Sequence, residues 1–172
     1  MARMTFKASD EYALKLSRFA AGSDEIAKKA IYAGAKIVAD KIKATLEGVP
    51  TEKFRYLRGG DQFGGLTRTQ KADLLASFGI TPITRDENGD WNAKIGFDGY
   101  GSKSTNKYPQ GIPNQLLARA VESGSSVRHK HPFVRPAVNA TKQAAIAEMG
   151  AGYRPRNRKA YGRKINGNDR RK

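Results

Sequence analysis

His129 and His131 are the only histidines in this 172-residue chain, and they stand in a basic run of Arg128, His129, Lys130 and His131. Two imidazoles in a loop can ligate a metal, but a closed tetrahedral site takes four ligands and an open one three. No carboxylate lies at a recognisable ligand spacing from them and there is no cysteine, so no metal is expected. Asp86, Glu87 and Asp90 flank Asn88 and Gly89. Their spacing does not match the twelve-residue calcium loop, and turn chemistry accounts for them better. Asp73 and Glu122 are candidates for paired carboxylates, but nothing in their spacing brings them together. The chain has no Gly-x-Ser-x-Gly elbow and no thiol nucleophile. Its glycines do not follow a phosphate-loop spacing, and no Gly-Lys-Ser/Thr is present. The expectation is a protein that is not an enzyme and holds no cofactor.

The remaining chemistry is cationic. Lysine and arginine number 32 against 16 acids, a net charge of +16. In residues 153–172 nine basic residues, Arg154, Arg156, Arg158, Lys159, Arg163, Lys164, Arg170, Arg171 and Lys172, face one acid, Asp169. Half of the excess charge thus sits in a stretch with few apolar residues. Such a stretch reads as a basic tail, disordered when free, that contacts a polyanion or an acidic partner surface. In residues 51–68, Phe54, Tyr56, Leu57 and Phe63 alternate with Lys53, Arg55, Arg58 and four glycines. Aromatic and basic residues so mixed can stack on bases and neutralise phosphates. They can equally pack on a neighbouring subunit, and a flexible assembly loop is the preferred reading.

These residues need a scaffold. Ile26, Ala30, Ile31, Ala35, Val38, Ile42 and Leu46 recur at helical steps, which predicts an amphipathic helix over residues 24–47 whose stripe is core. Gly22 is expected to separate it from a short helix beginning at Ser9 or Asp10, with Ser23 as the new cap. Thr69 is expected to cap a helix through Ser77, with Leu74, Leu75 and Phe78 on its apolar side and Gly79 ending it. Residues 80–84 read as a strand, with Pro82 at an edge or bulge. Asn88 and Gly89 are a strong hairpin signal, and Trp91, Ala93, Ile95 and Phe97 alternate as a half-buried second strand. Residues 99–113 form a long connection. A helix over residues 115–122 ends before Gly124, which is expected to supply a left-handed turn. Pro132 fits the first turn of a last helix, regular only beyond Pro136, with Val134, Val138, Ala145 and Ile146 facing inward.

The order Val121, Glu122, x, Gly124, Ser125, Ser126, then a short basic loop, then Pro132, Phe133, x, Arg135, Pro136, Ala137 and a helix resembles the C-terminal half of the HK-97-like neck and tail-completion proteins. These join heads to tails in long-tailed bacteriophages. Ser123 stands where family members more often have Phe, and the His129–His131 loop replaces Pro-Ala-Arg. A related group, the virion morphogenesis proteins of contractile-tailed phages, shares a similar Pro-x-Arg-Pro-Phe step. The resemblance is firmest over residues 121–137 and extends loosely over residues 10–149. It implies a long helix across a sheet, a cyclic ring (a hexamer) at the head–tail junction, and contacts with head-completion, tail-terminator or tail-tube proteins. Residence in the virion, after assembly in the host cytoplasm, follows from it too.

The combined reading is an α+β chain: a lead-in with a short helix over residues 1–22, one domain over residues 23–150, and a basic tail over residues 151–172. The long helix packs on a small antiparallel sheet, the hairpin of about residues 80–97. No apolar run reaches the ~20 residues needed to span a membrane. The function expected is structural, in a phage neck, minor tail or tail-completion ring, with the basic tail meeting packaged DNA or a neighbouring protein. The alternative is a stand-alone nucleic-acid-binding protein. A strong affinity for DNA that falls steeply with salt distinguishes it.

Overall fold

The apolar stripe becomes the buried side of helix α1 (Asp10–Glu47), where Ala30, Ala35, Ala39, Ile42 and Leu46 are buried. The computed structural model describes the backbone of residues 10–162 and the side chains of residues 22–151. Over these residues the fold is α+β, with elements in the order α1, α2, β1 to β4, α3, α4. The break expected at Gly22 is absent, and Ser23 is interior to the helix rather than its cap. A helical glycine costs only about 1 kcal/mol relative to alanine. Extending an existing helix is far easier than nucleating one, and Ala20 and Ala21 just before Gly22 favour it.

Helix α4 (Val134–Gly162) packs along α1 in the antiparallel sense. Ile42 and Leu46 share a cluster with Phe133 and Ala137, while farther back Gly34 faces Met149 and Ala145. A Cβ at Gly34 would stand 2.6 Å from Met149 Cγ and 3.1 Å from the Ala145 carbonyl oxygen, so the helices approach closely because this position is glycine. Ala137, Thr141 and Ala145 form the buried face of α4 at four-residue steps. Val138 and Ile146, expected inside, are exposed; each lies one position beyond the seam, which turns its side chain to solvent. Val134 does pack on the core. The boundary expected at residue 151 falls inside α4, which runs on to Gly162. Residues 151–162 thus continue the helix in backbone.

Helix α2 (Arg68–Ser77) is capped by Thr67, not Thr69. Thr67 Oγ1 accepts the Gln70 N–H at 3.2 Å and Gln70 Oε1 accepts the Thr67 N–H at 3.2 Å, a reciprocal capping box. The helix ends at Ser77 with Phe78 already extended, so Gly79 lies in a strand and terminates nothing. Leu74 is fully buried, and Leu75 and Phe78 pack on the same core.

Four short strands make one interrupted hairpin. β1 (Phe78–Ile80) pairs antiparallel with β4 (Ile95–Phe97), and β2 (Thr84–Arg85) with β3 (Trp91–Asn92). Between the two ladders residues 81–83 oppose residues 93–94, so the first arm carries one extra residue around Pro82. Pro82 is at a bulge, as its missing N–H requires. At the tip Asp86 Oδ1 accepts the N–H groups of Asn88 at 3.0 Å and Asp90 at 2.9 Å, and Gly89 has φ +84°. Of the acids there, the Asp86 carboxylate holds the turn. Residues 99–113 fold back on themselves: Gly101 N–H donates to the Ile112 carbonyl at 2.8 Å and Asn114 N–H to that of Gly99 at 3.1 Å. α3 (Asn114–Ser123) follows, with Leu117, Ala118 and Val121 buried. The core thus lies where the C-terminal end of α1, α2, α3 and the start of α4 meet, with Phe78, Ile95 and Phe97 of the hairpin against it. No described helix is long and apolar enough to cross a membrane.

Candidate functional site

Residues 121–137 make one joint. Val121 is 1% exposed at the end of α3, and Glu122 follows it. The Glu122 carboxylate reaches the start of α4: Oε2 accepts the N–H groups of Phe133 at 2.7 Å and Val134 at 2.8 Å, and Oε1 that of Arg135 at 3.0 Å. The first four N–H groups of a helix have no partner within it. Glu122 takes three, and the fourth position is Pro136, which has no N–H to satisfy. Regular helix therefore begins at Val134, ahead of Pro136 rather than beyond it. Pro132, expected in the first turn, lies just outside.

Arg135 Nε stands 3.9 Å from Glu122 Oε1, but the Arg135 side chain is 80% exposed, so this pair adds little. Partial burial raises the Glu122 pKa. The N–H groups of Val134, Phe133 and Arg135, together with the Arg135 charge, outweigh it and hold the carboxyl below its ordinary value. Phe133 is wholly buried, edge-on to Phe97, and Ala137 is buried one turn later.

Gly124 has φ +79° and ψ 167°. This is not the left-handed helical turn expected but the extended positive-φ region, essentially restricted to glycine. A Cβ there would lie 3.1 Å from Lys130 Cβ, because the loop closes on itself. Ser125 N–H donates to the Arg128 carbonyl at 2.9 Å, and His131 N–H to that of Val121 at 2.7 Å.

The loop after α1 is fastened to this joint by Arg128, a residue whose role spacing did not signal. Its guanidinium is buried, bonded to the Gly65 carbonyl and to Gln70 Oε1 (3.1 Å), and lies 5.5 Å from the Phe63 ring centroid. Burial lowers its pKa, and the Glu52 carboxylate opposes that. Phe63 N–H donates to the Val127 carbonyl and His129 N–H to that of Phe63, each at 2.9 Å. His131 Nε2 is 2.5 Å from the Gly64 carbonyl oxygen, so this imidazole is engaged by backbone. The basic loop is therefore a clamp in part.

No group of three or more potential metal ligands occurs among the described residues. Asp73 and Glu122 are each bonded elsewhere, Asp73 Oδ2 to Ser102 N–H (2.9 Å) and Oγ–H (3.0 Å). The loop over residues 51–62 keeps two aromatic groups outside: Phe54 is 68% and Tyr56 91% exposed, their rings 5.6 Å apart, whereas Phe63 is half-buried against Arg128. Of the basic residues near the C-terminus, Arg154, Arg156, Arg158 and Lys159 lie on the last turns of α4. Arg163, Lys164, Arg170, Arg171 and Lys172 lie outside the described residues. No family model matches the chain, and neither does any curated protein or solved structure.

Proposed function

We propose that this chain is a structural subunit of a ring at the head–tail junction of a tailed bacteriophage. The observation that carries the reading is the ordered run from Val121 to Ala137, which resembles the tail-completion proteins and works here as a unit. Val121, Phe133 and Ala137 enter the core, Glu122 and Pro136 start α4, and Gly124 closes the loop. Exposed aromatic residues on long connections support the reading, because apolar groups that do not serve their own core suit subunit contacts. Heterologous contacts that close give a ring, and the resemblance makes that ring a hexamer in contact with head-completion, tail-terminator or tail-tube proteins.

Electron microscopy of particles from a phage lacking this gene tests the proposal. Filled heads separate from tails, or tails of uncontrolled length, are expected. Normal joined particles would overturn it. The charge of +16 favours one other reading, a nucleic-acid-binding protein that uses its basic C-terminal stretch. Tight DNA binding by the purified chain, joined to normal particles without it, would select that reading.

A further inference from the structure

A cavity of about 790 Å³ lies beside Phe54, lined by Lys53, Arg68 and Lys103 and by the acids Glu52 and Asp73. The acids are already used within the chain. Glu52 Oε1 accepts the Gly65 N–H at 3.3 Å, and Asp73 Oδ2 accepts both donors of Ser102. The three cations form no ion pair among the described residues. Bonds from neutral donors leave both carboxylates charged, so the lining carries three cations against two acids, a net charge of +1 with the cations unpaired and the Phe54 ring beside them, and a segment with free carboxylates fits it.

The chain carries such a segment at its other end. Residues 86–90 hold three acids at the hairpin tip. Asp86 is committed to the turn, whereas the carboxylates of Glu87 and Asp90 form no ion pair among the described residues. The tip is fixed near the N-terminal half of α1. Asp24 accepts two bonds from Arg85 at 2.8 Å and one from the Trp91 Nε1–H at 3.1 Å. The cavity is fixed at the C-terminal end of α1, where Lys71 Nζ donates to the Glu47 carbonyl at 2.6 Å and to that of Val49 at 2.9 Å. Residues 24 and 47 are separated by roughly 35 Å of helix at 1.5 Å per residue. The tip cannot reach its own cavity.

We propose that the acidic hairpin tip of one copy seats in the basic cavity of the next. Complementary surfaces at opposite ends of one chain make a head-to-tail contact, which propagates and closes into a ring if the rotation per subunit allows. This rests on the ring reading above and names the contact that builds it. Glu87 and Asp90 enter beside Lys53, Arg68 and Lys103, and Phe54 packs on the turn.

Because the protein has no cysteine, the contact can be trapped directly. The full chain carrying Glu87→Cys and Lys103→Cys, oxidised during assembly, is expected to give a ladder of multimers that reduction collapses. Each single variant is expected to give dimers at most. Glu87→Lys with Asp90→Lys, or Lys53→Glu with Arg68→Glu, is expected to raise the concentration needed for assembly at least about tenfold by light scattering. Mixing the two reversed variants is expected to restore assembly, which an unfolded variant could not do. Absence of the ladder, or reversed variants that assemble like the wild type, would overturn the proposal. Normal head–tail joining by the reversed variants would remove this contact and leave the ring reading standing. Normal joining without the protein would remove the ring reading itself.

Discussion

Glu122 concentrates the local chemistry of this protein in one carboxylate. Its side chain is only 11% exposed, and it satisfies the backbone at the start of α4 with three bonds. Replacing it with glutamine removes the charge and leaves at least one first-turn N–H poorly served. Thermal or denaturant unfolding of Glu122→Gln should show a loss on the order of 2 kcal/mol. The pH dependence has a definite sign. The folded pKa lies below the unfolded one, so the folded state takes up this proton less readily. The stabilisation is present above the ordinary carboxyl range and is lost as pH falls through the depressed folded value. The wild-type melting temperature should fall below about pH 4.5, and that of Glu122→Gln should fall less steeply. Arg128 is the second critical residue. Arg128→Lys keeps the charge but cannot serve Gly65, Gln70 and the Phe63 ring together. Faster amide hydrogen exchange at Phe63 and His129, with α1 unchanged, is the expected outcome; unchanged exchange would mean that the clamp is not needed.

At the scale of elements, the hairpin is held at two places of different kinds. Its base is apolar: Phe78 and Phe97, directly paired with ring centroids 5.1 Å apart, lie against the core. Its tip is polar. Asp24 of α1 bonds Trp91 and Arg85, and the cations of Lys28 and Arg85 each lie 4.5 Å from the Trp91 ring. The Trp91 N–H bond lowers the Asp24 pKa most; desolvation opposes it, and the bond to and charge of Arg85 and the charge of Lys28 add to the lowering. Asp24→Asn should loosen the tip and leave the base intact. Trp91 is the single tryptophan, so its fluorescence reports this contact alone. A red-shifted emission with an almost unchanged melting temperature is expected. The wild-type signal should move the same way as pH falls through the lowered Asp24 pKa. If the Asp24→Asn emission matches the wild type, Asp24 does not hold the tip.

At the scale of the whole molecule, charge and apolar surface are unevenly distributed. Residues 22–152 hold 19 basic and 13 acidic residues, so the part that forms the core is only mildly cationic, and the C-terminal twenty carry a further +8. Any affinity of the isolated protein for DNA should therefore fall steeply with salt and be insensitive to base sequence. Neutralising Arg154, Arg156, Arg158 and Lys159 should lower the slope of log affinity against log salt by up to about 0.9 for each phosphate that is no longer neutralised. A fluorescence anisotropy titration at several salt concentrations measures that slope. A slope that does not change would place DNA binding elsewhere, with the loop around Lys53, Arg55 and Arg58 as the next surface to test.

Periodicity and turn chemistry by themselves determined the long helix and the hairpin, and narrowed Pro82 to an edge or a bulge, between which the strand registers decided. These are local matters: an apolar stripe at helical steps, Asn88 followed by Gly89, and a proline that cannot donate each act within a few residues. The ends of elements were less legible. Gly22 does not break α1, Thr67 and not Thr69 caps α2, and Val138 and Ile146 face solvent. Gly22 and Thr67 were decided by local terms of only about 1 kcal/mol, helix extension and a capping box with Gln70, whereas Val138 and Ile146 were decided by how α4 packs on α1. The run from Val121 to Ala137 was visible as a pattern, but its purpose was not. Only the tertiary structure brings Glu122 onto the N–H groups of a helix eleven residues away, and Arg128 onto a carbonyl 63 residues away. Contacts across such separations depend on how α3, α4 and the loop after α1 pack, and no local spacing encodes that.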